Sequence, residues 1–348
     1  MQPDVKARLT RLLDGARKLA NREHPLGREV RARLLRSTGL SRESIEWALE
    51  HCLETRPSQD ELEALANSVE PSPRAHVLLS ANVFVAAHRA LALALAASAH
   101  VYVRPSRREP EMTELLREAA PGLFQLVETL DARAGEQLFA YGHAETLSEV
   151  ANTQPQGVIF HGHGPGFGLI VLNAPIDTRT AELIARDVAA FDQRGCLSPR
   201  LVLFEGPHSV ALDCARLLAQ ALEHSERSLP RGELTRDELA EIARYRDTLS
   251  YSGDLFEAGL GYVGVAPADG APTLAPVGRN LHILPVDDAT PLLAAVTSAV
   301  TTLACSPSLR DRVSGALPDA RPAQLGAMQT PRFDGPVDRR PNTRPRRL

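Results

Sequence analysis

The sequence predicts an α/β protein built on two mostly parallel sheets, with a helical region at its N-terminus. Two observations carry this prediction. Short apolar runs alternate with longer segments whose apolar residues recur at helical spacing, and the turns between them are rich in Gly, Pro and Ser. The chain has 348 residues, 43% of them hydrophobic, which is enough for about two domains with sizeable cores.

Charge and cysteine content exclude several kinds of protein. The formal net charge of −4 indicates neither a nucleic-acid partner nor an anionic membrane. The four cysteines lie far apart without a CxxC pair, so we expect a reducing cytoplasm rather than a disulfide framework or a zinc site. The N-terminus lacks a signal-peptide pattern, and the most apolar run, residues 81–103, contains His88 and Arg89, so we expect no membrane span.

The first half of the chain begins with helices and continues with strands and helices in alternation. Residues 1–70 have the apolar spacing of helices, and a Pro-containing breaker follows at 70–74. Beyond it we predict strands at 75–83, 100–105, 136–142 and 156–162, and helices at 84–97, 108–121 and 144–153. Sheets of this kind bind ligands beyond the carboxyl ends of their strands.

The second half repeats this alternation. A helix capped by Asp177 is expected to stop at Gly195. We also predict strands at 166–175, 200–206 and 281–288, and helices at 209–225 and 289–305. From about residue 318 the chain is rich in Pro and Arg. We expect a solvated, partly disordered tail there, with a nucleic-acid or lipid contact as the alternative, and the tail could also return to the first domain or to a neighbouring subunit.

One cysteine lies where a ligand can reach it. Cys196, in AFDQRGCLSP at 190–199, falls on the predicted loop after the Asp177 helix. A helix C-terminus disfavours a thiolate, but Arg194 and Arg200 would oppose that effect. The alternative is a buried structural cysteine, because an unpaired Cys is usually buried. The other cysteines are at apolar positions of predicted helices and are expected to be structural: Cys52, Cys214 and Cys305.

Four segments resemble, in order and rough spacing, the aldehyde dehydrogenases and their reductase relatives. They are LLSANVFVAAHRALALALAASAHVYVRPSRREP (78–110), YGHAET (141–146), VIFHGHGPG (158–166) and DQRGCLSP (192–199). Within that superfamily the chain is most similar to the LuxC-type acyl-CoA reductases. That likeness is carried by FHGHGP (160–165), FDQRGCLSP (191–199), GRNLHILPVDD (278–288) and GAMQTPRFDGPVDRRP (326–341).

The resemblance, which covers roughly residues 75–341, implies an aldehyde-dehydrogenase-like fold. The N-terminal helices and a nucleotide-binding domain would occupy residues 1–174. A catalytic cysteine domain would occupy 175–316, and the Pro/Arg-rich tail would be 317–348.

The same resemblance implies a reaction. An acyl-CoA or acyl-protein thioester would acylate Cys196 and be released as a long-chain fatty aldehyde. The side-chain amide of Asn82 and the backbone N–H of Cys196 would hold the oxyanion, although Asn82 also suits an ordinary turn. His163 is a candidate proton donor. The resemblance is compatible with a homo-oligomer and with an acyl-transferring partner enzyme.

The implied cofactor is NADPH, with NADH as the alternative. Arg104, in VRPS with Ser106, takes the place of a family lysine that lies near the adenosine ribose. With Arg107 and Arg108 it would hold a ribose 2′-phosphate, unless these residues are a solvated arginine cluster. Gly162 and Gly164 would let the backbone approach the cofactor.

The chain also departs from the superfamily pattern. Residues 166–175 lack the glutamate with which oxidising aldehyde dehydrogenases activate water, which suits a reductase and equally an inactive relative. An "EIFGP" motif and the helix after the Gly-rich turn are missing as well. Three alternatives therefore stay open: an acyl-phosphate reductase like the glutamyl-phosphate reductases, a catalytically silent binding subunit, and a metal site. The residues for such a metal site would be His161, His163, Cys196 and Asp192.

Overall fold

The computed structural model describes residues 1–267 and 270–348. They divide into two compact units, the first formed by Met1–Pro165 with Arg332–Leu348 and the second by Gly166–Pro331. Each unit contains one sheet whose strands are nearly all parallel, so the predicted α/β class is confirmed.

The helices and strands alternate along most of the chain. The α-helices are α1 (Pro3–Ala20), α2 (Pro25–Ser37), α3 (Arg42–His51), α4 (Gln59–Asn67), α5 (Ala86–Ala97), α6 (Glu111–Ala119), α7 (Ala144–Thr153), α8 (Thr178–Ala189), α9 (His208–Ser225), α10 (Arg236–Ser252), α11 (Thr290–Val296) and α12 (Arg310–Ala316). The strands are β1 (Ala75–Leu78), β2 (Val101–Arg104), β3 (Gln125–Leu126), β4 (Gln137–Tyr141), β5 (Ile159–His163), β6 (Phe167–Leu172), β7 (Pro199–Glu205), β8 (Asp254–Ala258), β9 (Gly261–Val265), β10 (Leu281–Val286), β11 (Val300–Cys305), β12 (Arg321–Ala323) and β13 (Arg346–Arg347). No helix in the described part of the chain has the length and apolar character needed to cross a bilayer.

The sheet of the first unit is doubly wound. Its strand order is β13-β5-β4-β1-β2-β3, and every pairing except that of β13 with β5 is parallel. From β1 the chain moves outward through β2 to β3, and then returns to the other side of β1 to form β4 and β5. The carboxyl ends of β1 and β4 therefore bracket the point at which open α/β sheets bind ligands.

The sheet of the second unit has the order β12-β11-β6-β7-β10-β9-β8 and is parallel except for the β8–β9 pair. Alternate residues of β6 face opposite sides. Ile170 and Leu172 enter the core that contains α8 and α9, whereas Leu169 and Val171 enter the core beside α11 and α12. The second unit begins at Gly166, ahead of the domain boundary expected at 174, because β6 pairs with β7 and β11.

The helix predicted at 289–305 is wrong in its second half. α11 ends at Val296, and β11 follows as a strand buried between β6 and β12. Val300, Thr301 and Thr302 are β-branched and favour an extended backbone at a position covered on both faces. Cys305 is consequently at the end of a strand and is partly exposed, rather than buried in a helix as expected.

The expectation of a solvated, partly disordered tail is also wrong, because its last part packs onto the first unit. Arg89 donates hydrogen bonds to the carbonyl oxygens of Arg332 and Gly335. Arg340, only 1% exposed, pairs with Asp338 and donates to the carbonyl oxygen of Pro165 at 2.9 Å. The charge of Arg340 is thus paired inside the unit, although Arg344, Arg346 and Arg347 are exposed, and the tail returns to the first unit.

Candidate active site

Cys196 lies in the second unit, on the loop that joins α8 to β7. Asp177 caps α8 as predicted, accepting from the backbone N–H of Thr180 at 2.7 Å. The helix ends at Ala189, ahead of the expected stop at Gly195, and a 3₁₀ turn at Ala190–Gln193 follows. Cys196 is partly exposed, and none of the four cysteines, all in the described part, forms a disulfide. Partial exposure of the residue is what a nucleophilic cysteine requires.

The loop meets the sheet at the amino end of β7. Cys196 precedes Pro199, the first residue of that strand. Open α/β sheets usually bind ligands beyond the carboxyl ends of their strands. Cys196 instead precedes the amino end of β7, so this expectation does not apply to it.

The backbone before Cys196 is left-handed over three consecutive residues. Phe191, Asp192 and Gln193 have φ values of 52°, 50° and 65°, and all three are buried. Arg279, with φ of 74°, is the one other non-glycine residue with positive φ in the described chain. Each left-handed non-glycine residue costs about 1–2 kcal/mol, so the run persists only because surrounding contacts determine it.

A fully buried ion pair supplies the first set of those contacts. Asp192 Oδ1 accepts from Arg279 Nε at 3.0 Å and from Nη2 at 2.8 Å, and both side chains are 0% exposed. Asp192 Oδ2 accepts from the backbone N–H of Gly232, and the Asp192 carbonyl oxygen accepts from Gly278 N–H at 2.9 Å. Arg279 also pairs with Glu226 at 3.1 Å. Both oxygens of Asp192 are therefore engaged within its own unit.

The side-chain amide of Gln193 supplies the second set. Its Nε2 donates to the carbonyl oxygens of Pro199 and Asn280, and its Oε1 accepts from the backbone N–H of Asn280 at 2.8 Å. Arg279 and Asn280 were not predicted as partners of this loop, although they belong to the GRNLHILPVDD segment. An arginine next to a strand ordinarily indicates an exposed position, so no local signal identified it as buried.

The two arginines expected to favour a thiolate are tied to other groups. Arg194 Nε donates to Glu238 at 2.8 Å, and its Nη2 donates to the carbonyl oxygen of Glu233. Arg200 Nε donates to the carbonyl oxygen of Ala275, and burial lowers the pKa of Arg200 to about 10. The charge of Arg194 is thus balanced by a carboxylate.

The remaining predicted site residues all belong to the first unit. Asn82 is exposed in the turn between β1 and α5. Arg104 ends β2, where it is in register with Leu78, the last residue of β1. Asn82 and Arg104 therefore follow neighbouring parallel strands at the carboxyl edge of one sheet. Ser106 comes just after β2, and its Oγ accepts from the backbone N–H of Arg108 at 3.2 Å.

The Gly-rich turn leads from β5 directly to β6 without a helix between them, as the sequence predicts. Gly162 lies inside β5, where a Cβ would be 2.6 Å from the ring of Phe160, so a larger residue would displace that ring. Gly164 has room for a side chain, since its nearest neighbour would be Leu147 at 3.4 Å. Residues 164–166, all described, form no helix before β6 begins, so no helix N-terminus is available here for a phosphate.

Two histidines near the end of β5 are buried, and each stacks on an aromatic ring of β4. His161 Nε2 lies 2.9 Å from Gln137 Oε1, and burial lowers the pKa of His161 to about 3. His163, 8% exposed, stacks on Tyr141, and burial lowers its pKa to about 4. His163 is thus neutral at neutral pH, which disfavours it as a proton donor. The described residues contain no group of three His, Cys, Asp or Glu side chains placed to hold a metal ion.

Comparison with known proteins identifies the family of the chain. The model of the LuxC acyl-CoA reductase family matches residues 124–312, which is more than half of the chain. No curated protein matches it in sequence.

Solved structures share the fold at low sequence identity. An oxidoreductase from Marinobacter aquaeolei is 13% identical with a TM-score of 0.69, over 99% of this chain and 81% of that one. A NAD-dependent benzaldehyde dehydrogenase from Corynebacterium glutamicum is 14% identical with a TM-score of 0.68, over 93% and 81%. An aldehyde dehydrogenase from Mycobacterium tuberculosis, complexed with NAD+, is 14% identical with a TM-score of 0.62, over 92% and 77%. The chain has the aldehyde dehydrogenase fold and belongs to the LuxC acyl-CoA reductase family, a family of oxidoreductases.

Proposed function

We propose that the protein is an acyl-CoA reductase that forms a long-chain fatty aldehyde with NADPH, through a thioester on Cys196. The observation that carries this proposal is the placement of Cys196. It is partly exposed between the buried residues Gly195 and Leu197, on a loop fixed by buried polar contacts. A structural cysteine needs neither exposure nor a fixed loop, whereas a nucleophile needs both.

The chain's own residues would carry out the acyl transfer. The Cys196 thiolate attacks the thioester carbonyl, the bond from that carbon to the carrier sulfur breaks, and the carrier leaves as a thiolate that takes up a proton from water. By resemblance to the family, the oxyanion is assigned to the backbone N–H of Cys196 and the side-chain amide of Asn82. Burial lowers the pKa of His163 to about 4, so its imidazole is neutral at neutral pH. We therefore assign His163 a role as a neutral polar group of the first unit and not as the proton donor.

The carboxyl edge of the first sheet has donors that fit the adenosine end of a nicotinamide dinucleotide. Among the described residues, the partly exposed guanidinium of Arg104 has no side-chain partner, and Arg107 and Arg108 are exposed beside it. These groups and the Ser106 hydroxyl would hold a ribose 2′-phosphate, which is why we propose NADPH. The bound cofactor would supply the hydride that converts the acyl group to an aldehyde. Gly164 would permit a close backbone approach, but no helix dipole assists there.

Mapping of an acyl adduct tests the nucleophile. The protein is incubated with a long-chain acyl-CoA in the absence of nucleotide, digested and analysed by mass spectrometry. We expect the acyl mass on Cys196 and its loss in Cys196→Ala. Cys305→Ala is the matched control, because Cys305 is the other partly exposed cysteine and burial raises its thiol pKa.

Three results would contradict the proposal in different ways. Acylation of Cys305 in place of Cys196 would show that Cys305 is the nucleophile. Labelling by an acyl phosphate but not by acyl-CoA would favour an acyl-phosphate reductase. A Cys196 that resists both acyl donors and a small thiol alkylator would favour a catalytically silent binding subunit.

A further inference from the structure

The loop that carries Cys196 is closed by a side chain that bridges its two ends. Gln193 lies before Cys196, and its Nε2 donates to the carbonyl oxygen of Pro199, which lies after it, at 2.8 Å. Within the loop, the backbone N–H of Ser198 donates to the carbonyl oxygen of Gly195. Gln193 is 1% exposed, and its amide oxygen is occupied by Asn280 N–H. The loop is therefore fixed from inside the protein, while Cys196 remains partly exposed.

Two strained segments hold each other in the conformation that this bridge requires. Asp192 and Gln193 are left-handed, and so are Gly278 and Arg279, with φ of 92° and 74°. Gly278 N–H donates to the Asp192 carbonyl oxygen, and the Arg279 guanidinium binds the Asp192 carboxylate. Neither segment would keep this backbone alone, since each carries a non-glycine residue where glycine is favoured.

We propose that Gln193 is a positioning residue that fixes the thiol of Cys196 for attack, and that the Asp192–Arg279 pair maintains the backbone from which Gln193 acts. This inference rests on the proposed function, because it assumes that Cys196 is the nucleophile. A helix can be ended by a single glycine after its last turn. Three left-handed residues held by a buried ion pair are therefore not needed merely to end α8. A buried ion pair is weak evidence for stability, whereas strain maintained by buried contacts is typical of functional sites.

A single-turnover measurement tests the inference. Gln193→Met keeps the size of the side chain and removes its three hydrogen bonds, two donated by Nε2 and one accepted by Oε1. We expect it to lower the rate of Cys196 acylation by acyl-CoA, and kcat, about 10²-fold, while KM changes less than about threefold, because misplacement of a nucleophile by about 1 Å has that effect. The matched control is Thr302→Val, which removes the buried bond from Thr302 Oγ1 to the Arg321 carbonyl oxygen in the same unit. It should lose stability without losing acylation rate.

The possible results separate the inference from the proposed function. A wild-type protein that acyl-CoA does not acylate contradicts the proposed function. A wild-type protein that is acylated, with Gln193→Met acylated equally fast, overturns the positioning role. Equal losses of rate in Gln193→Met and Thr302→Val, at equal thermal stability, overturn it too. If Gln193→Met does not fold, Arg279→Lys replaces it. That variant keeps the charge but loses the planar fork, and we expect a fall in acylation rate of at least about tenfold.

Discussion

At the residue scale, the most informative feature is an ion pair with no exposure to solvent. Removing one member of such a pair leaves a buried charge without compensation, at a cost of about 3–5 kcal/mol. Asp192 therefore depends on Arg279, whereas Arg279 has Glu226 as a second carboxylate partner. The sequence suggested Asp192 as a fourth ligand of the alternative metal site, with His161, His163 and Cys196. Its partner could not be predicted, since no periodicity or motif links a loop to a residue so distant along the chain.

A second buried carboxyl group predicts how stability varies with pH. Glu109 is 4% exposed, and burial raises its pKa to about 7 from an ordinary value of 4.5. As the pH rises from about 4.5 to 7, the unfolded chain loses this proton while the folded chain keeps it. The titration of Glu109 therefore leaves the free energy of unfolding unchanged below about pH 4.5. It lowers that free energy progressively between about pH 4.5 and 7, and by a constant amount above about pH 7.

Glu109→Gln isolates this effect. The amide oxygen can still accept from the backbone N–H of Met112, as the carboxylate does at 2.9 Å, but it does not titrate. We expect the free energy of unfolding of the variant, relative to that of wild type, to be higher at pH 8 than at pH 4.5. Urea unfolding at both pH values measures the difference. A difference that does not change with pH would show that Glu109 has an ordinary pKa.

At the element scale, predictions succeeded where local chemistry determines the structure. α7 begins and ends at the predicted residues, and the cap of α8 is the predicted Asp177. They failed where tertiary contacts overrode local pattern. Residues 300–305 read as part of a helix, but between two strands their β-branched side chains favour β11. The arginines of the tail indicated a solvated segment. Arg340 is nevertheless buried, and its guanidinium pairs with the carboxylate of Asp338, two residues away.

Arg340 should therefore contribute to the stability of the first unit. Arg340→Met removes the pair with Asp338 and the bond to the Pro165 carbonyl oxygen, leaving a buried carboxylate. We expect a loss of about 3–5 kcal/mol in the free energy of unfolding and faster amide exchange in β5, which pairs with β13. Arg347→Met, at an exposed position, is the control. Unchanged exchange in β5 would show that the C-terminal segment does not support it.

At the scale of the whole molecule, sequence and structure agree on the fold and the family. The order of short motifs implied an aldehyde-dehydrogenase-like chain of the LuxC family, and both are confirmed. The candidate site was less predictable. Cys196, Asn82 and Arg104 could be named from motifs, because each follows or precedes a recognisable strand. The support of the Cys196 loop by Gln193, Arg279 and Asn280 depends on long-range contacts that a single sequence does not reveal.

The central claim, that a thioester on Cys196 is reduced to an aldehyde, is tested most directly by discharge of the isolated acyl-enzyme. The protein is acylated with a long-chain acyl-CoA, freed of excess substrate, and mixed with NADPH or NADH at equal concentration. We expect stoichiometric aldehyde and a regenerated Cys196 thiol, faster with NADPH because of the arginines that begin at Arg104. Release of a carboxylic acid instead, or an acyl group that stays on Cys196 with either nucleotide, would contradict the account.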